Sequence, residues 1–330
     1  MKRVIVDCDP GVDDTLALIY LAAAHHEGAA ELEAVTTTAG NVDAVQCAIN
    51  AAWVLAQCGL RTVPLAAGMP GPLSVPLTTT PETHGPTGLG YVTAPARNVE
   101  TDWDLLWCDA IDRGTDDLHL IVTGPLTNLA AFRTMHPDHF ARLRHITVMG
   151  GALEYPGNTT ETAEWNFWVD PHAARDVLAH TPVPVTLCSL GVTEQMVINP
   201  DVLREIVSAL GPTPIAAHLG EIMRFYFEFH ESEGEGYLAQ VHDLLTAQVA
   251  LGAVLIDAPL THLLILTDPD EQRGTSIAQG LAAGPPNARV VTSADIRAAH
   301  ADFLRACGVH ARFFGGSAEL DAARNARAED

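Results

Sequence analysis

Residues 4–18, Val4-Ile5-Val6-Asp7-Cys8-Asp9-Pro10-Gly11-Val12-Asp13-Asp14-Thr15-Leu16-Ala17-Leu18, set an apolar run, an acidic turn and a helical apolar pattern in direct succession. Val4 to Val6 reads as a buried strand of a parallel sheet. From Asp13 onward, Leu16, Ile19 and Tyr20 with alanines between them predict a helix. Four carboxylates within eight residues therefore stand where a strand ends and a helix begins. That is the edge at which open parallel sheets bind ligands. Asp7, nearest the strand, reads as a cap on local backbone, whereas Asp9, Asp13 and Asp14 converge in the turn. One Asp is enough to cap a helix. Like charges this close repel unless something offsets them, and a hard cation with oxygen ligands, Ca²⁺ or Mg²⁺, does so. The helix N-terminus contributes less.

The rest of the chain alternates strand and helix patterns. Strands are predicted over Glu33–Thr38, Val63–Ala67, Leu118–Val122, His145–Met149, Val183–Leu187, 263–267 and Arg289–Thr292. Helices are predicted over Asp43–Cys58, 102–113, from Asp170-Pro171 to His180, 200–230, from His242-Asp243 to Leu255, and 294–306. This alternation predicts an α/β fold, an open, mainly parallel sheet flanked by helices, with the active site at the C-terminal edge of the strands. Two long stretches, 68–98 and 152–169, are rich in Gly, Pro, Thr and polar or aromatic residues, and loops of that length are commonly functional. No charge run or Ser/Gly linker divides the chain, so residues 1–313 read as a single domain and 314–330 as a mobile tail.

Composition narrows the partners. The formal net charge of −23 argues against nucleic acid and against an anionic membrane. The six cysteines (8, 47, 58, 108, 188 and 307) are scattered without a CxxC pair and read as reduced core residues of a cytoplasmic protein. No signal peptide or membrane span is expected. His25, His26, His136 and His139 read as surface residues.

The residues alone admit two chemistries. Asp7 and Asp9, two apart after a strand, suit a Mg²⁺-dependent phosphohydrolase of the haloacid dehalogenase type, and Leu120-Ile121-Val122-Thr123 is similar to that group's second motif. Such an enzyme needs a later Lys or Arg for the phosphate, and the only lysine is Lys2. A non-catalytic, Ca²⁺-dependent ribose- or nucleoside-binding protein is the other.

A third reading comes from resemblance. Asp7-Cys8-Asp9-Pro10-Gly11-Val12-Asp13-Asp14 resembles the N-terminal fingerprint of the inosine–uridine preferring nucleoside hydrolases. The match continues in order through Gly40-Asn41, His84-Gly85-Pro86-Thr87-Gly88-Leu89, Thr123-Gly124-Pro125-Leu126-Thr127-Asn128, Val148-Met149-Gly150-Gly151-Ala152, Gly157-Asn158, Ala163-Glu164-Trp165-Asn166 to Asp170-Pro171, and His242-Asp243. It spans residues 4–306.

The resemblance implies hydrolysis of the N-glycosidic bond of a ribonucleoside to ribose and free base, through an oxocarbenium-like transition state. It implies Ca²⁺ held by Asp9, Asp14, the Thr123 carbonyl and Asp243, with Asp9 as general base toward water. It implies Asp13, Asn41 and Asn166 on the ribose hydroxyls, Asn158 and Glu164 on the 5′-hydroxyl, and Met149 against the sugar. His84 would line the base pocket, and His242 would give the leaving base a proton, a role an imidazole titrating near neutrality suits. A homodimer or homotetramer is also implied. The chain departs from the family at Leu244, where Pro commonly follows His-Asp, and at Trp165, where Phe is common. His230 and Gly234 stand where members often carry Tyr and Arg, and the 267–275 segment fits loosely. These departures cluster at the base pocket and leave the base preference open.

Overall fold

The computed structural model describes residues 1–268 and 271–315 in full and the backbone of 316–328. The six N-terminal strands are β1 (Lys2–Cys8), β2 (Ala30–Thr37), β3 (Leu65–Ala67), β4 (Leu118–Val122), β5 (His145–Met149) and β6 (Val185–Cys188). With Leu260–Thr261 and Ala288–Val290 they form one eight-stranded sheet. From one edge its order is Leu260–Thr261, Ala288–Val290, β6, β5, β4, β1, β2, β3. Every pairing is parallel except that between Leu260–Thr261 and Ala288–Val290. Between β3 and β6 the order reverses direction at β1 and β4, and the crevice at the C-terminal ends of those two strands is where such sheets bind ligands.

β1 is covered on both faces. Val4, Val6 and Cys8 belong to one core layer and Ile5 to the other, all at most 1% exposed. This follows from the period-two alternation of a strand inside a parallel sheet. The helices in chain order begin with α1 (Val12–His26), α2 (Ala44–Gln57), α3 (Pro81–His84), α4 (Trp103–Asp112), α5 (Thr127–Met135), α6 (Pro137–Phe140), α7 (Trp165–Val169) and α8 (Pro171–His180). α1 and the helix His242–Leu251 pack on each other and are buried almost all round. α4, α5 and α8 cover the opposite face. No helix among the described residues is long and apolar enough to cross a membrane.

Several predicted boundaries shift for identifiable reasons. The helical stretch expected over 200–230 is two helices, Pro200–Leu210 and Ala216–Ser232. Pro212 and Pro214 lie between them, and neither has an N–H to continue a helix. The 152–169 stretch ends in α7, whose N-cap is Glu164. The strand expected at 263–267 is Leu263–Ile265, paired antiparallel with Ser276–Ala278 outside the main sheet. The last helix does not stop at 306 but runs Ile296–Ala328. One face of it packs against α1, where His310 Nε2 lies 2.8 Å from the Ile19 carbonyl oxygen. The tail expected over 314–330 falls largely on side chains outside the described residues, as does Asp270 of the 267–275 segment.

Candidate active site

The acidic turn is built by α1. Asp14 Oδ2 accepts from the Gly11 N–H at 3.0 Å, the reciprocal half of a capping box. Its Oδ1 accepts from the Thr123 hydroxyl at 2.9 Å, which ties the end of β4 to the start of α1. Asp9 leaves β1 at the same level. Its Oδ2 accepts from the Asn41 N–H at 2.8 Å, and its carbonyl accepts from Asn41 Nδ2 at 3.0 Å. Asp243 arrives from a different part of the chain, in the first turn of His242–Leu251. Because α1 and that helix lie side by side, two helix N-termini point at one spot, and each favours negative charge there. Carboxylate oxygens of Asp13, Asp14 and Asp243 all lie within 4.8 Å of one another.

These groups are almost fully buried. Desolvation and the charge of Asp14 push Asp9 well above the ordinary carboxylate range. Burial and the charges of Asp13 and Asp14 do the same to Asp243, and Asp13 is raised to about 7. Buried acids so close cannot all ionise without a compensating positive charge. No lysine or arginine lines the cavity among the described residues. The clustered donors are carboxylate oxygens, which fits a hard divalent cation of the Ca²⁺ class.

The cavity encloses ≈ 580 Å³. Asp9, Asp13, Asn41, His84, Thr123, Met149, Asn158, Glu164, Asn166, His242 and Asp243 all line it. Asp14 alone of the sequence-predicted set stands behind the lining, bonded to Thr123. Asn166 Nδ2 donates to the Thr123 carbonyl at 2.7 Å. Glu164, which by itself reads as an exposed loop residue, is buried. It accepts from the N–H groups of Asn166 at 2.7 Å, Gly151 at 2.9 Å and Phe167 at 3.1 Å. Burial nevertheless dominates and raises it to about 7. Asn158 is exposed at the rim, and its Oδ1 accepts from the Trp165 N–H at 3.0 Å.

The two histidines are neutral. Burial, followed by the neighbouring imidazoles, lowers His84 and His242 to about 3 each. The sequence reading, with an ordinary imidazole at this position, does not anticipate that burial. His84 Nδ1 accepts from the Val12 N–H at 3.2 Å, so the ring proton sits on Nε2. This histidine braces the acidic turn as well as lining the cavity. His242 Nδ1 lies 2.9 Å from the Thr193 hydroxyl, which leaves its Nε2 free.

Some site residues were not legible in the sequence. Asp7 does not cap backbone. It is fully buried beneath the site, and its Oδ1 accepts from Thr36 at 2.7 Å and Asn128 at 2.8 Å. Thr36 in turn accepts from Trp107 Nε1 at 3.0 Å. Thr193, Tyr226 and Gln240 were also missed, and no local pattern signals them, since each reaches the site through tertiary packing. His230, noted as a departure, lines the cavity beside Tyr226 and pairs with Glu235 at 2.6 Å.

A family model described as inosine-uridine preferring nucleoside hydrolase matches residues 4–301. Curated relatives include the pyrimidine-specific ribonucleoside hydrolase RihA of Shewanella sp. (strain MR-7), 34% identical over 89% of this chain and 92% of the relative. The RihA of Photobacterium profundum is 35% identical over 74% of this chain and 78% of the relative. Among solved structures, the purine-preferring ribonucleoside hydrolase of Gardnerella vaginalis is 26% identical with a TM-score of 0.83, covering 94% of this chain and 99% of that one. A plant nucleoside hydrolase, PpNRh1, shares the fold with a TM-score of 0.82 at 21% identity, covering 93% and 99%. The acidic crevice between β1 and β4 thus belongs to an enzyme that hydrolyses N-glycosyl bonds, and the chain is a member of the inosine–uridine preferring nucleoside hydrolase family.

Proposed function

We propose that this enzyme is a Ca²⁺-dependent ribonucleoside hydrolase that prefers pyrimidine nucleosides and releases ribose and the free base. The observation that carries the reading is the buried group of Asp9, Asp13 and Asp243, with Asp14 behind them, on the floor of a cavity lined by no lysine or arginine among the described residues. The pyrimidine preference rests on the RihA relatives. The missing cationic side chain disfavours phosphate, and Lys2 lies elsewhere, donating to the Ala250 carbonyl at 3.0 Å.

Asp9, Asp14, Asp243 and the Thr123 carbonyl would hold the cation. Bound there, it would offset the carboxylate charge, keep the acids ionised at neutral pH, and act as a Lewis acid toward oxygen. Asp9 is the base. The Asn41 N–H occupies its Oδ2, and Oδ1 takes the proton of the water that attacks C1′. As the C1′–N bond breaks, its electron pair goes to the base, and the surrounding carboxylates stabilise positive charge on the ribosyl group. Asp13, Asn41 and Asn166 hold the ribose hydroxyls, Glu164 and Asn158 hold the 5′-hydroxyl, and Met149 packs against the ring. The Thr193 hydroxyl is shared between the Ser189 carbonyl at 3.2 Å and His242 Nδ1 at 2.9 Å. Where it donates to Nδ1, the ring proton sits on Nε2 and hydrogen-bonds the leaving base as charge develops on it. Solvent water supplies the proton the base finally carries. His84 Nε2–H faces the same pocket as a hydrogen-bond donor.

The test is ribose released from uridine, cytidine, inosine, adenosine and guanosine, with Ca²⁺ and again after chelation and dialysis. Ca²⁺-dependent release that is fastest on uridine or cytidine is the expected result. Faster release from the purine nucleosides overturns the base preference, and undiminished release after chelation overturns the metal assignment.

A further inference from the structure

We infer that Cys108, His136 and His139 form a second metal site, on the outer face of the helical layer, selective for a borderline-soft divalent cation of the Zn²⁺ class. α4 carries Asp104, Cys108 and Asp112 at four-residue spacing, which sets them on one stripe of the helix. Facing that stripe is the short corner between α5 and α6, where His136 and His139 stand three residues apart. The sequence alone makes the two histidines surface residues. In the fold, one ligand atom from each of Cys108, His136 and His139 lies within 4.8 Å of the others. None of the three lines the catalytic cavity.

Independent features point to a ligand. His136 Nε2 lies 2.8 Å from Asp104 Oδ2. A carboxylate behind an imidazole fixes ring and tautomer, as it does for metal-bound histidines, and leaves Nδ1 to coordinate. His139 Nε2 is shut off from solvent and makes no well-aligned hydrogen bond. It lies 3.3 Å from Asp112 Oδ1, an oxygen already taken by Arg142 Nη1 at 2.6 Å. The Phe132 ring backs both imidazoles, at 5.2 Å and 6.5 Å between centroids. One thiol and two imidazoles are the donors that Zn²⁺ takes, whereas the catalytic floor offers oxygen alone. The two sites therefore sort cations by donor chemistry. Occupancy would pin α4, which precedes β4, to the corner that precedes β5.

The measurement is titration of the full-length, Ca²⁺-saturated protein with Co²⁺, read by absorbance, and with Zn²⁺ against a chromophoric chelator. A thiolate-to-cobalt charge-transfer band saturating at a single equivalent is expected, with Zn²⁺ displacing it. Cys108→Ala should abolish the band. Asp104→Asn should weaken Zn²⁺ binding by about 10- to 100-fold without removing it, as an outer partner of a ligand does. Should Cys108→Ala fail to fold, His139→Gln keeps the thiol and removes an imidazole, and it should lose the saturable band. Ca²⁺-dependent ribose release should match wild type in all three variants. No thiolate band in the wild-type protein, or an unchanged band in Cys108→Ala or His139→Gln, overturns the site.

Discussion

Gly40 stands directly against Asp9: a Cβ at position 40 would lie 2.1 Å from Asp9 Oδ2 and 2.8 Å from Pro125 Cδ. On the other side, a Cβ at Gly124 would come within 2.8 Å of Asp9 Oδ1. The carboxylate proposed as general base is thus held between two backbones that only glycine allows so near. Gly40→Ala should rotate Asp9 away from the Asn41 N–H while leaving the remaining cavity residues in place. A fall in kcat of about 100-fold or more is expected, the lower end of what a general base contributes. Steady-state kinetics on uridine with a parallel melting curve check it. A folded Gly40→Ala protein with wild-type kcat would show that Asp9 is not the base.

Asn128 anchors the floor beneath the site. Its Nδ2 donates to Asp7 Oδ1 at 2.8 Å and to the Thr37 carbonyl at 3.1 Å, and its Oδ1 accepts from the Met69 N–H at 2.8 Å. Asn128→Ala leaves the Met69 N–H without its partner and takes one of two donors from Asp7 Oδ1 and from the Thr37 carbonyl, which keep Thr36 and the Gly68 N–H. A buried group left unpaired costs about 1–3 kcal/mol. A loss of about 1–3 kcal/mol in urea unfolding is expected. A loss under about 1 kcal/mol would mean that water or a shifted loop replaces the amide.

The difference between Asp7 and Asp14 marks what a sequence can say. The place of Asp14 was legible because the strand, the Pro-Gly turn and the first helical residues all agree on where the acidic turn lies, although its bond to Thr123 was not. Asp7 was misread because its partners, Thr36 and Asn128, are remote in sequence and become neighbours only through the pairing of β1 with β2 and β4. The same holds for the strand order. Alternating patterns disclose a parallel sheet, but not that β1 lies between β4 and β2. The burial of Glu164 was hidden for a related reason, since a polar stretch looks exposed until a short helix needs its N-cap buried. The motifs that gathered half of the cavity lining were legible through resemblance. The protonation state of His242 was not, because burial and His230 set it.

Glu164 makes stability depend on pH. Its folded value is raised by burial from 4.5 to about 7. Between those values the folded protein keeps a proton that the unfolded chain releases, so stability is full below about 4.5 and falls as pH rises through about 7. At about 1.4 kcal/mol per unit the contribution is about 3 kcal/mol. Glu164→Gln removes the titration and adds a constant cost, because its amide cannot accept all three backbone N–H groups. The difference in unfolding free energy between wild type and Glu164→Gln, measured at fixed Ca²⁺, should therefore shift with pH between 4.5 and 7 and level off above. A difference that stays constant across that range would contradict the buried, proton-binding Glu164.

His242 should not titrate in the physiological range. Burial first, and the charge of His230 second, lower it to about 3, so its ring is neutral from pH 5 to 8. A neutral imidazole donates only from the nitrogen that carries the proton, and the Thr193 hydroxyl at 2.9 Å from Nδ1 governs which one that is. The kcat/KM profile on uridine should show no limb near 6.5 that disappears in His242→Ala. His242→Ala should slow uridine by about 10²- to 10³-fold, the usual cost of removing a hydrogen-bond donor aimed at developing charge. It should affect p-nitrophenyl riboside far less, because that leaving group departs without a proton. Thr193→Val, which removes the hydroxyl beside Nδ1, should follow the same ordering at smaller size. Equal losses on both substrates for His242→Ala would assign His242 to binding the base, and a limb near 6.5 that the variant loses would place a charged imidazole in the free enzyme.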